Sequence, residues 1–202
     1  MSELLVDVCS YDAMKFACEN FHYSKKVPAS KLVRHGVWED GLFKGAIVYG
    51  DSPTFNMGSP YDLDYTEICE LRRVALTSHE HQVTEILSKS LKLLRKSNPG
   101  LQLVVSYADA NVGHLGIIYQ AGSWIFEGTV PARYLHIING EAVHGRTVYD
   151  RYGRSDLGWI RENIDKDAHT IKLKPKFKYI FPLTKKARKL FSNRAKEYPK
   201  EV

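Results

Sequence analysis

The first hundred residues switch between two hydrophobic periods. Residues 3–9 (ELLVDVC) form a short apolar run that predicts a strand. From Tyr11 to Tyr23, Met14, Ala17, Cys18 and Phe21 recur at helical spacing, with Ser10 placed to cap and Asp12 in the first turn. A loop around Pro28 follows. KLVRHGVWE and LFKGAIVYG are two strands joined by Asp40-Gly41, a hairpin signal. Residues 51–65, rich in Gly, Pro and Asp, predict a long loop. TEICELRRVALTS reads as a strand; strict alternation puts Glu70 and Arg72 on one face, Leu71 and Arg73 on the other. In HQVTEILSKSLKLLRKS, the positions Val83, Ile86, Leu87, Leu91 and Leu94 make the apolar stripe of a helix that stops at Asn98-Pro99-Gly100.

LQLVVSY then predicts a strand covered on both faces. It opens into polar residues, SYADANVGH, and a short helix carrying Tyr119 and ending at Gly122. An apolar, aromatic segment with Trp124 and Phe126 comes next. ARYLHIING and EAVHGRTVY predict two short strands around Asn139-Gly140, and SDLGWIRENI a helix capped by Ser155. HTIKLKPKFKYIFPL is extended and interrupted by Pro175; KKARKLFSNRAKEYPKEV is a basic helix or tail. An early hairpin followed by strand–helix–strand–helix–strand predicts an α/β (α+β) domain built on a mixed sheet.

Composition narrows the class. With 202 residues and 44% hydrophobic content, the chain suits one domain with some decoration. No apolar run reaches the roughly 18 residues of a membrane span, and the N-terminus lacks a signal-peptide pattern. A cytoplasmic protein with no membrane partner is expected. Three separated cysteines, Cys9, Cys18 and Cys69, predict buried thiols rather than a disulfide framework. The net charge of +6 is uneven: from Asp165 to Val202 there are twelve Lys and Arg against four Asp and Glu. A basic end on a near-neutral body points to a polyanion.

The element order resembles the GCN5-related N-acetyltransferase (GNAT) fold. HLGIIYQAGSW is similar to that family's tyrosine-bearing helix, with Tyr119 at the tyrosine and Gly122 near its glycine. FHYSKKVP, ELRRVAL, SYADANVGHLGIIYQA and the ending FKYIFPLTKKARK resemble the motifs of phage Mom-type proteins. The resemblance implies a GNAT-like mixed sheet flanked by helices over residues 1–183, with an insertion at about 132–168 and a basic extension over 184–202. It implies a wedge where one strand splays from the next. It also implies a phage-encoded, transferase-type enzyme in the host cytoplasm, with double-stranded DNA as partner. The chemistry implied is addition of a carbamoylmethyl-type group to the exocyclic amine of adenine, which blocks restriction. One departure stands out. Relatives of the broad family hold the coenzyme A diphosphate on a glycine-rich turn, and TSHEHQVTE has no glycine. Neither acetyl-coenzyme A nor any other donor is assigned.

An exocyclic adenine amine is a weak nucleophile, so its enzyme must position it, take a proton and stabilise charge. The candidates for that work are His22, Ser106, Asp109, His114 and Tyr119. Each has a plainer alternative: Asp109 suits a cap, Ser106 a backbone bond, Tyr119 a core aromatic, and the histidines helix ends. The resemblance lends Tyr119 the role of acid. Arg73, Ser78 and Tyr107 are the candidates for holding a donor. Tyr23, Lys25, Lys26, Lys176, Lys178, Lys185, Lys186 and Arg188 are the candidates for gripping DNA. His22, Asp109 and His114 make a set of the type ferrous iron takes, but no local spacing joins them and no metal site is assigned. Two other functions fit the same sequence: an acyl-coenzyme A transferase acting on a small amine or protein, and a non-catalytic DNA-binding, anti-defence module. The oligomeric state is left open.

Overall fold

A computed structural model describes residues 2–51 and 55–200. Residues 52–54 of the expected loop and the last two of the basic end lie outside the described residues. The chain forms two compact units. The first comprises Met1–Tyr107, Gly116–Gly128 and Lys178–Val202; the second comprises Ala108–Leu115 and Thr129–Phe177.

The main sheet holds seven strands: β1 (Leu4–Val8), β2 (Leu32–Glu39), β3 (Leu42–Gly50), β4 (Ile68–Leu76), β5 (Leu103–Asp109), β6 (Ile125–Val130) and β10 (Lys176–Pro182). Their spatial order is β1-β2-β3-β4-β5-β10-β6. The first four are antiparallel and β4–β5 is parallel, which makes the sheet mixed. The β2–β3 turn is Asp40-Gly41, both with positive φ, as a tight hairpin turn requires. α1 (Tyr11–Asn20) is capped by Ser10 and buries Met14, Ala17 and Cys18 on one face of the sheet, against Ala46, Val48 and Ala75. α2 (Val83–Ser97) buries Ile86, Leu87, Ser90, Leu91 and Leu94, and short α3 (Ile117–Ala121) contacts it. Among the described residues, no helix is long and apolar enough to cross a membrane.

The expected 51–65 loop is more structured than its composition suggests. It contains 3-10 turns, and Met57 and Tyr61 join a core cluster with Ile68, Leu103, Val105 and Ile180. The basic end is not a loose tail over its first part. α6 (Lys185–Phe191), capped by Thr184, sends Ala187 and Phe191 into the same cluster. Beyond it Arg194 binds Glu127 and the Pro60 carbonyl, Lys196 N–H donates to Phe126 O, and Tyr198 donates to Trp124 O. Glu127 also accepts from Tyr61 and from Lys178 at 3.1 Å. Burial pushes its carboxyl up, but the Tyr61 and Arg194 donors and the Lys178 ammonium outweigh that and hold it below the usual range.

The second unit has its own sheet, ordered β8-β7-β9: β7 (Tyr134–Ile138), β8 (Glu141–His144) and β9 (His169–Lys172). Its core is Ile138, Val148, Ile160 and Ala168. EAVHGRTVY, expected to be one strand, divides: the strand ends at His144, whose Nδ1 accepts from Arg146 N–H and caps α4 (Gly145–Tyr152). α5 (Leu157–Asn163) is capped by Asp156, not Ser155. Pro175, which has no N–H, separates β9 and β10, and the two belong to different sheets.

One polar network lies inside the first unit. His35 is completely buried; its Nδ1 is 2.8 Å from Ser90 Oγ, which is 2.9 Å from Tyr49 Oη. Burial drives the His35 pKa from 6.5 to about 4, against the pull of the Asp7 carboxylate. A depressed imidazole leaves the fold neutral while the unfolded chain takes up a proton. Stability is therefore complete above about pH 6.5 and is lost as pH falls toward about 4. The expected loss is on the order of 3 kcal/mol. A pH series of urea melts checks it: His35→Gln should remove this part of the acid sensitivity, and an unchanged pH dependence would refute it.

Candidate functional site

β4 and β5 pair over only three residues, Ile68 with Leu103, Cys69 with Val104 and Glu70 with Val105. Both strands then continue, β4 to Leu76 and β5 to Asp109, without pairing in register. A bulge explains the divergence. Val48 faces Arg73 and Tyr49 faces Leu71, so Arg72 is an extra residue in β4. A bulge bends its strand and increases the local twist. It also breaks the expected alternation. Leu71 shares a face with Tyr49, which reaches Ser90 on α2, whereas Arg73 shares a face with Val48, under α1. The expectation that Arg73 lies beside Leu71 is corrected accordingly.

Ser106 is the first residue of β5 beyond the last pair. Its Oγ is 3.1 Å from the Leu71 carbonyl and 2.8 Å from Tyr119 Oη. A side chain thus replaces the missing backbone partner of Leu71 and anchors Tyr119 at the mouth of the splay. The Ser106 hydroxyl is the donor in this pair of contacts, with the Leu71 carbonyl and the Tyr119 hydroxyl oxygen as its two acceptors, which leaves the Tyr119 proton free. Tyr119 packs against Trp124 and Tyr179 at ring distances of 5.0 and 5.1 Å. Gly116, at φ +80°, makes this possible, because a Cβ there would meet the Tyr179 ring at 2.4 Å. Burial pushes the Tyr119 pKa to about 12, so the phenol is protonated at neutral pH. The Tyr23 and Glu70 charges act on it in the same direction.

The α1 side of the sheet brings His22, Tyr23 and Arg73. His22 and Tyr23 follow α1 rather than close it. His22 is buried, with Ser24 N–H donating to Nδ1 at 3.1 Å, which places the neutral ring's proton on Nε2; Tyr23 lies exposed beside it, 4.3 Å between rings. Arg73 donates from Nε to Lys26 O at 3.3 Å, and burial lowers its pKa. Glu70, absent from the sequence candidates, is 3.3 Å from Arg72 in an ion pair. Its charge in a strand was the one available signal. Lys25 donates to Asn20 O and so serves the end of α1, while Lys26 is exposed. Tyr107 packs, partly buried, against the Met57–Tyr61 cluster, and Ser78 lies exposed in the turn before α2. Lys178 is taken up by Glu127, and Arg188 sits 5.2 Å over the Phe181 ring. Lys185 and Lys186 are exposed.

In the second unit, Asp109 accepts from Asn111 N–H at 3.0 Å and pairs with Lys176 at 2.8 Å. Burial opposes ionisation, but Lys176 and Asn111 prevail and hold the carboxyl low. Asp109 therefore stays ionised and acts as an acceptor rather than as a strong base. His114 is exposed, and its N–H donates to Asp109 O at 3.1 Å. Among the described residues, no three of His, Cys, Asp and Glu gather as a metal ion would need.

The turn before α2, where a coenzyme A diphosphate would lie in the resembling family, is filled by the chain itself. The Glu39 carboxylate accepts from Glu80 N–H at 3.0 Å and His81 N–H at 2.9 Å, with Lys44 at 3.8 Å. Burial pushes its pKa up, but the two N–H groups and Lys44 outweigh that and lower it. Two amides of this turn, those of Glu80 and His81, already hold an anion, and a diphosphate beside the Glu39 carboxylate would be repelled, so this turn is a poor fit for coenzyme A.

Solved structures align over most of the chain but distantly. The aminoglycoside 6'-acetyltransferase type Ii aligns at 10% identity and TM-score 0.47, over 89% of this chain and 97% of that one. A Bacillus subtilis acetyltransferase in complex with CoA aligns at 12% and 0.45, over 90% and 100%. The methylcarbamoylase Mom of Escherichia phage Mu is 27% identical over 207 residues, covering 98% of this chain and 84% of its own. Residues 3–200 match the Mom protein family, a span that takes in the bulged β4, the Ser106–Tyr119 anchor and the α6 end alike. The chain belongs to the Mom protein family.

Proposed function

We propose that the protein is a DNA-modifying transferase that adds a carbamoylmethyl-type group to the exocyclic amine of adenine. The observation that carries this reading is the splay of β4 from β5, with the hydroxyls of Ser106 and Tyr119 fixed at its mouth. A target base inside a duplex is out of reach, so it must be flipped. Exposed Tyr23 offers a stacking surface, and Lys26 a phosphate contact. The amine nitrogen bonds to the electrophilic carbon of the donor as the bond to the leaving group breaks. Tyr119, protonated at neutral pH, gives its proton to that leaving group, and the proton shed by the amine nitrogen returns to the phenolate through water. Arg73, Ser78 and Tyr107 are assigned to the donor side, and His22 to holding the base.

The membership in the Mom family and the 27% identity to a methylcarbamoylase support the class of group transferred. DNA from cells expressing the protein, digested to nucleosides and analysed by mass spectrometry, tests it. A modified deoxyadenosine with the mass of an added CH2–CONH2 group is expected. Unmodified nucleosides throughout, from folded protein in living cells, would refute the reading.

A further inference from the structure

A groove of about 190 Å³ runs along α2 in the first unit, on the side of the helix that faces the ends of β6 and β10. Its floor is apolar, with Leu87, Leu91, Trp124, Phe181 and Leu183, and Thr84 and Ser88 border it. Its cations are Lys92 and Arg95 on α2. Arg188 of α6 joins them, stacked over Phe181 and donating to Ser123 O at 3.4 Å. Lys185 lies one helical turn before Arg188, and its side chain is exposed. No carboxylate lines the groove, and among the described residues no ion pair involves any of these four cations.

Two plainer explanations fall short. Cations in the last turn of a helix are favoured by its dipole, which accounts for Arg95. It does not account for Lys185, in the first turn of α6, where the dipole disfavours them. A small-molecule site is the other alternative. Pockets that enclose such ligands hold roughly 300 Å³ or more, so this groove is too small to bury a donor. It has the size and chemistry of a surface contact: an apolar trough for a sugar edge, bordered by cations for phosphates.

We propose that this groove is a sequence-independent docking surface for the sugar–phosphate backbone of duplex DNA, separate from the splay between β4 and β5. It lies beside Gln102, where β5 begins, whereas Ser106 is farther along the same strand: Leu183 N–H donates to Gln102 O at 2.9 Å. The backbone is thus held away from the reacting base. The proposal rests on DNA being the target of the enzyme.

The test uses the full chain with Lys92→Gln and Arg95→Gln together, and a Lys15→Gln control on α1, against a duplex of arbitrary sequence over a range of salt. Each phosphate deprived of its cation lowers the slope of log affinity against log salt by roughly 0.9. The double variant should therefore lose about two units of slope and roughly 10–100-fold in affinity near 0.1 M salt, with KM for DNA raised and kcat at saturating DNA unchanged. The control should change little. An unchanged slope in the double variant overturns the proposal, including the case in which an acidic peptide proves to bind the groove instead. Failure of the transferase reading looks different: wild-type protein would bind DNA with the steep slope and leave every nucleoside unmodified.

Discussion

Tyr119→Phe should leave the protein folded and cut the yield of modified nucleoside by roughly 10²–10⁴-fold, the range for loss of a positioned proton donor. The ring contacts with Trp124 and Tyr179 survive the change, so the packing that seats α3 remains. Only the hydroxyl goes, and with it the bond to Ser106 at 2.8 Å. Ser106→Ala is the companion variant. It leaves the Leu71 carbonyl and the Tyr119 hydroxyl without this buried partner, at about 1–3 kcal/mol of stability. It should also lose activity, because Tyr119 is no longer held. The two together separate chemistry from architecture: Phe keeps the melting temperature and loses product, and Ala loses some of each. Nucleoside mass spectrometry and thermal melts read both. Full product from Tyr119→Phe would remove the hydroxyl from the mechanism.

Millimolar coenzyme A should leave the melting temperature of the wild-type protein unchanged, because the amides of Glu80 and His81 are occupied by Glu39. Glu39→Gln should lower that temperature by roughly 5 °C or more at neutral pH, since it replaces charge-assisted bonds to two N–H groups with a neutral acceptor beside Lys44. The pH dependence has a definite sign. The Glu39 carboxyl titrates lower in the folded protein than in the unfolded chain. Its contribution is therefore complete above the unfolded value of about 4.3 and is lost as pH falls through the folded one. The gap between wild type and Glu39→Gln should narrow in acid. A coenzyme A–dependent rise in the wild-type melting temperature would sink the argument that this turn is closed to a diphosphate.

Much of the site's vocabulary was legible in the chain. SYADANVGH announced polar residues at a strand end, and Tyr119 fell on the following helix as its spacing implied. Charges inside ELRR marked β4 as unusual for a strand, but the alternation read from them was regular. A bulge is one residue of mismatch between two strands, so the partner strand decides it; nothing within ELRRVAL says that Arg72 is the extra residue. Glu39 was invisible for the same reason. It is one acid at a hairpin turn, 41 and 42 residues from the amides it fills, and only the packing of α2 against β1 and β2 brings them together. EAVHGRTVY misled because His144 serves as a helix cap through its ring nitrogen, a role its alternating neighbours concealed.

The sequence by itself determined the local periods, the two tight hairpin turns, the cap of α1 and the excess of positive charge at the C-terminal end. Those depend on residues within one or two turns of each other, and short-range sterics and hydrogen bonds settle them. The tertiary structure alone decided where β4 leaves β5, which anion fills the turn before α2, and that α6 packs into a core rather than trailing as a basic tail. Each of these joins residues distant in the chain, where the burial of apolar surface and the satisfaction of buried polar groups across strands outweigh local preference.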